Sequence, residues 1–73
     1  MMARFIINQN AQANGDHEVH NATTGCSYMP NPENQIDLGY HNSCQEAVVS
    51  AKRKWSDHRI NGCYYCCRPC HTS

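Results

Sequence analysis

The apolar residues of this 73-residue chain fall into short clusters with two different periods. Arg4 to Asn8 (Arg-Phe-Ile-Ile-Asn) is rich in β-branched and aromatic residues and predicts a strand. A polar stretch with the turn dipeptide Asn14-Gly15 follows, and Asp16 to Asn21 then predicts a second strand, so that the two make a hairpin with a long loop. Residues 22–35 read as irregular, because Thr23-Thr24-Gly25 and Pro30-Asn31-Pro32 each interrupt regular structure. Ile36, Leu38 and Tyr40 alternate with Asp37 and Gly39, the period-two pattern of a half-buried third strand. The period then changes. Cys44, Ala47, Val48, Ala51 and Trp55 recur on one face of a helix, while Gln45, Lys52, Arg53 and Lys54 lie mostly off it. Ser43-Cys44-Gln45-Glu46 has the form of a capping box, in which Ser43 accepts from the Glu46 N–H and Glu46 reaches back to the Ser43 N–H. A helix is therefore expected from about Cys44 to Ser56, ending before Asn61-Gly62. The predicted fold is α+β: three short antiparallel strands, one helix and a cysteine-rich C-terminal turn, in one domain over residues 1–73.

Composition adds a constraint that the pattern does not carry. A chain below ~70–80 residues buries too little apolar surface to rely on its core alone and usually adds disulfides or a metal. The non-cysteine candidates for burial are Phe5, Ile6, Ile7, Val19, Tyr28, Met29, Ile36, Leu38, Tyr40, Val48, Val49, Trp55, Ile60, Tyr64 and Tyr65. Six cysteines in a chain of this length signal a cross-linked or metal-bound scaffold. No apolar run approaches the roughly 20 residues of a membrane-spanning helix. The start, Met1-Met2-Ala3-Arg4-Phe5-Ile6-Ile7-Asn8-Gln9, lacks the apolar stretch and cleavage site of a secretory signal, so a cytoplasmic protein is expected. In that compartment clustered cysteines are more often metal ligands than disulfides.

Net charge is zero, but it is unevenly spread. Residues 1–43 carry one base and four acids, and residues 44–73 carry five bases and two acids. The bases Lys52, Arg53, Lys54, Arg59 and Arg68 are candidate contacts to nucleic acid or an acidic partner, set against the plainer reading of a solvated helix end.

The last residues, Cys63-Tyr64-Tyr65-Cys66-Cys67-Arg68-Pro69-Cys70-His71-Thr72-Ser73, hold two tandem Cys-x₂-Cys pairs. Such a pair lets two sulfurs reach one tetrahedral zinc ion. A second half-site is available at the exit of the second strand, where His20 and Cys26 form His-x₅-Cys and Gly25 allows a tight turn before the thiol. The favoured set is His20, Cys26, Cys63 and Cys66 around one Zn²⁺. Cys67, Cys70 and His71 are alternative ligands, a second partial site or spare groups; a helical tail would pair these residues at i,i+4 instead. Disulfides and free thiols are the other readings of the same cysteines, and sequence selects no connectivity. Cys44 reads as a packed thiol on the buried helix face. His17, His41 and His58 read as surface histidines, Trp55 as core, and Tyr64 and Tyr65 as packing against the metal turn in preference to stacking on bases.

The order His20-x₅-Cys26, short strand, Ser43 to Ala47 helix start, Gly62, then Cys63-x₂-Cys66 resembles the Ada-type metal-binding fold, a small zinc module also appended to some nucleases. The similarity spans about residues 17–70. The ending Gly-Cys-Tyr-Tyr-Cys-Cys-x-x-Cys-His also resembles that of small cysteine-rich prokaryotic and phage proteins. The resemblance implies a zinc-stabilised module often coupled to DNA. Two departures stand out: three surplus ligands in the tail, and His20 where the module typically has a cysteine. Ada proteins transfer a methyl group from DNA phosphate to a zinc-bound cysteine, but nothing in this sequence singles out such a cysteine, and that activity is not carried over.

Three functions fit these residues. The favoured one is a non-enzymatic zinc-binding module with structural metal, acting on a protein or nucleic acid as a monomer. A thiol-dependent enzyme, by redox chemistry or alkyl transfer at a zinc thiolate, needs a base or an open metal position, and no carboxylate accompanies the cysteine cluster in sequence. A phage or host regulator that blocks a target protein is the third.

Overall fold

The computed structural model describes residues 2–72. Four strands form one sheet: β1 (Ala3–Asn8), β2 (Asp16–Asn21), β3 (Gln35–His41) and β4 (Arg59–Gly62). The order across the sheet is β3-β1-β2-β4. β1 pairs antiparallel with β2, with Ile6 opposite His20 and Ile7 opposite Val19. It also pairs antiparallel with β3, where the register shifts between Phe5 and Ile6. One helix, α1 (Cys44–Lys54), and two short 3₁₀ turns, Pro32–Asn34 and Arg68–Cys70, complete the elements among the described residues.

The α+β class and the element order agree with the hydrophobic pattern, and the strand count is corrected from three to four. β4 pairs with β2 in parallel, Asp16 with Arg59 through Val19 with Gly62. Its sequence, Arg-Ile-Asn-Gly, carries a single apolar side chain, so hydrophobic alternation cannot reveal it. Polar contacts hold it instead. Buried Asp16 accepts from Arg59 Nε at 3.0 Å through Oδ1, and from Asn14 Nδ2 and Asn61 Nδ2 through Oδ2. Burying a carboxylate costs little only when its oxygens are satisfied in this way.

α1 lies against the sheet through Ala47 and Ala51, which meet Phe5, Ile7, Val19 and Leu38 in the core together with Cys44, Cys63 and Cys67. Small side chains on the helix let it approach the sheet closely. Ser43 caps the helix by accepting from the Glu46 N–H. The Glu46 carboxylate accepts from the N–H of Asn42, one residue before the Ser43 N–H expected of a capping box. Tyr28, Tyr40, Val49, Tyr64 and Tyr65 are exposed rather than buried. Trp55 caps the C-terminal end of α1 and packs at the margin of the core.

Cys44 is not a free packed thiol: it forms a disulfide with Cys70, joining the first residue of α1 to the second 3₁₀ turn.

A cysteine and histidine centre beneath the sheet

By strand alternation Ile6 and His20 point away from the face that carries Phe5, Ile7 and Val19. His20 ends up fully buried near the last position of β2. The chain then reverses. The Asn21 side-chain oxygen accepts from the N–H groups of Thr23 and Thr24, the Asn21 carbonyl accepts from Gly25 N–H, and Gly25 adopts a φ of 68°. That left-handed conformation suits glycine and brings Cys26 back toward His20.

The other half comes from the end of β4. The Cys63 N–H donates to the Val19 carbonyl at 2.9 Å, extending the β2–β4 pairing by one bond. One turn later Cys67 N–H donates to the Cys63 carbonyl, which closes the Cys63-Tyr64-Tyr65-Cys66 segment into a loop. His20, Cys26, Cys63 and Cys66 thereby form one group whose ligand atoms all lie within 4.8 Å of one another and which could hold a metal ion. Within it Cys26 Sγ is 3.8 Å from Cys63 Sγ and 3.8 Å from His20 Nδ1, and Cys66 Sγ is 3.5 Å from His20 Nδ1. Two backbone N–H groups point at these sulfurs: Tyr65 N–H toward Cys63 Sγ at 3.4 Å and Asn21 N–H toward Cys66 Sγ at 3.3 Å.

Burial governs the electrostatics. It pushes the thiols of Cys63 and Cys66 above the ordinary cysteine range and holds His20 below the ordinary imidazole value. Without a cation the site is thus driven toward its neutral form, whereas a bound cation would draw the thiols into thiolates. His20 Nε2, the nitrogen on the far side of the ring, is buried with no hydrogen-bond partner among the described residues. The nearest carboxylate is Glu18, with Oε1 at 3.7 Å. Burial raises the pKa of Glu18. Sequence reading passed over Glu18, although its i−2 position in a strand places it on the same face as His20.

No family model, curated protein or solved structure matches the chain.

Of the remaining candidates, Cys67 borders the four-residue group beside Cys63 and Cys66, while Cys70 and His71 are engaged elsewhere. Cys70 is engaged by Cys44. Cys67 is a buried free thiol in the core under α1, its pKa pushed up to about 11 by burial. His71 Nδ1 is 3.0 Å from the Gly62 carbonyl, and its ring meets Tyr64 edge-on. Among the bases, Lys52, Arg53 and Lys54 occupy the last turn of α1, where they complement the negative end of the helix dipole. Arg59 is engaged with Asp16, and the Arg68 guanidinium lies 5.0 Å from the centre of the Tyr64 ring. Tyr65, instead of packing inward, stacks on Tyr28 at 4.4 Å between centroids. Among the described residues no helix is long and apolar enough to cross a membrane.

Proposed function

We propose that the protein is a small zinc-binding module in which one structural ion, held by His20 Nδ1 and the sulfurs of Cys26, Cys63 and Cys66, ties the exit of β2 to the end of β4. The observation that carries this reading is the size of the four-atom group. Tetrahedral zinc with Zn–S of about 2.3 Å and Zn–N of about 2.0–2.1 Å requires S···S edges of about 3.8 Å and S···N edges of about 3.6 Å. The three separations quoted above, 3.8, 3.8 and 3.5 Å, match those edges. The N–H groups directed at the sulfurs suit thiolate acceptors, and the Ada-type resemblance points to the same chemistry. Four protein ligands leave no open coordination position, which favours a structural ion over a catalytic one. The module then serves as an interaction domain, and a protein partner fits better than nucleic acid, because Arg59 and Arg68 already have partners within the fold.

Native mass spectrometry tests the metal. One zinc ion per chain is expected, with Cys26→Ser and Cys63→Ser each losing it, and chelation of the wild type abolishing its circular dichroism signature of folded structure. A metal-free protein that remains fully folded would overturn the reading.

A further inference from the structure

A pair of imidazoles meets on the opposite face of β2. His17 and His20 stand three positions apart in β2, so alternation sends their side chains to opposite sides of the sheet. The His17 ring lies 4.9 Å from that of His58, centroid to centroid, with the planes inclined at 45°. Both rings line a cleft of about 150 Å³ whose other walls include Ile7, Ile36, Trp55 and Ile60. Each ring is anchored through the same nitrogen. His17 Nδ1 is 3.1 Å from the Asn8 carbonyl oxygen, and His58 Nδ1 is 2.9 Å from Asp57 Oδ1. An acceptor at Nδ1 places the proton there and leaves the lone pair on Nε2, the arrangement that prepares a histidine to bind metal through Nε2. Neither Nε2 has a hydrogen-bond partner among the described residues.

From this geometry we infer that His17 and His58 form a two-imidazole site for a divalent transition metal ion, separate from the cysteine centre. Two imidazoles bound through Nε2 at about 2.0–2.1 Å, with an angle of about 90–110° at the ion, have centroids roughly 4.5–5.2 Å apart, and 4.9 Å falls inside that interval. All-imidazole ligation suits Ni²⁺, Cu²⁺ and Zn²⁺ and disfavours Mg²⁺ and Ca²⁺. Water fills the remaining coordination positions, since His58 is 40% exposed. Asp57 and the Asn8 carbonyl act as positioning groups behind the ligands.

The only tryptophan in the chain, Trp55, shares the cleft and reports on it. The test titrates Ni²⁺ into the protein as purified, with zinc present in equimolar amount to keep the cysteine centre occupied, and follows Trp55 fluorescence. Saturable quenching is expected, without the ultraviolet absorption of thiolate-to-nickel charge transfer. His58→Gln, at a partly exposed position, is expected to weaken the titration about tenfold or more, as is His17→Gln, and Asp57→Asn to weaken it measurably, while His41→Gln leaves it unchanged. Quenching that does not saturate, or that is the same in His58→Gln as in the wild type, overturns the site. None of these variants touches His20, Cys26, Cys63 or Cys66, and the cysteine centre is read separately by the zinc count in native mass spectrometry, so failure here and failure of the cysteine centre are distinguishable.

Discussion

At the scale of single residues, Gly62 is under the tightest constraint. A Cβ at this position would lie 2.6 Å from the Cys70 Cβ, 2.8 Å from the Cys70 carbonyl carbon and 2.9 Å from the Cys67 carbonyl oxygen. Two of these neighbours are backbone atoms, and Cys70 is further held by its disulfide. Gly62→Ala is therefore expected to cost about 1–3 kcal/mol, read as a lower urea midpoint at unchanged slope. His20 gives a second prediction. Burial holds its folded-state pKa below the ordinary value of 6.5. In the native state the ring stays neutral where the unfolded chain already binds a proton, so its contribution to stability is complete above about pH 6.5 and is lost as the pH falls toward the folded-state value. Denaturant midpoints of the zinc-loaded protein measured from about pH 7.5 down to about pH 5 should decline over that window, because protons compete with the ion for His20 and the three thiolates. The four clustered residues were legible at this scale because His-x₅-Cys and Cys-x₂-Cys are local spacings. The Cys44–Cys70 link was not, since at position 44 helical periodicity speaks only of burial.

Among the elements, three strands and the helix were legible for the same physical reason: each buries one face, and its period shows in the side chains. β4 was not. Its stability comes from parallel hydrogen bonding to β2 and from the clamp on Asp16, both contacts between residues more than forty positions apart. The disulfide between Cys44 and Cys70 holds the start of α1 to the tail across a sequence separation of 26. Replacing both cysteines by alanine is expected to destabilise the fold by about 2–4 kcal/mol, checked by chemical denaturation under non-reducing conditions.

For the molecule as a whole, neutral charge and internally engaged arginines decide how it meets other macromolecules. Strong nonspecific attachment to nucleic acid rests on uncompensated positive charge and weakens steeply with salt. Here Lys52, Arg53 and Lys54 form one short basic run on a chain with equal numbers of acids and bases. Fluorescence anisotropy with labelled single-stranded and duplex DNA at physiological salt is expected to show no saturable binding in the micromolar range.

The parallel seating of β4 beside β2 has a kinetic consequence. Cys26 and Cys63 stand 37 residues apart, and everything between them, including β3 and α1, must be threaded before the last strand can dock. Such non-local closure is entropically slow, and the β2–β4 pairing, from Asp16 with Arg59 to Val19 with Gly62, joins residues farther apart in sequence than the pairing of β1 with either β2 or β3. Refolding should therefore be limited by the late arrival of the Arg59–Cys66 segment, leaving a transient species with an unzipped sheet edge that is open to self-association.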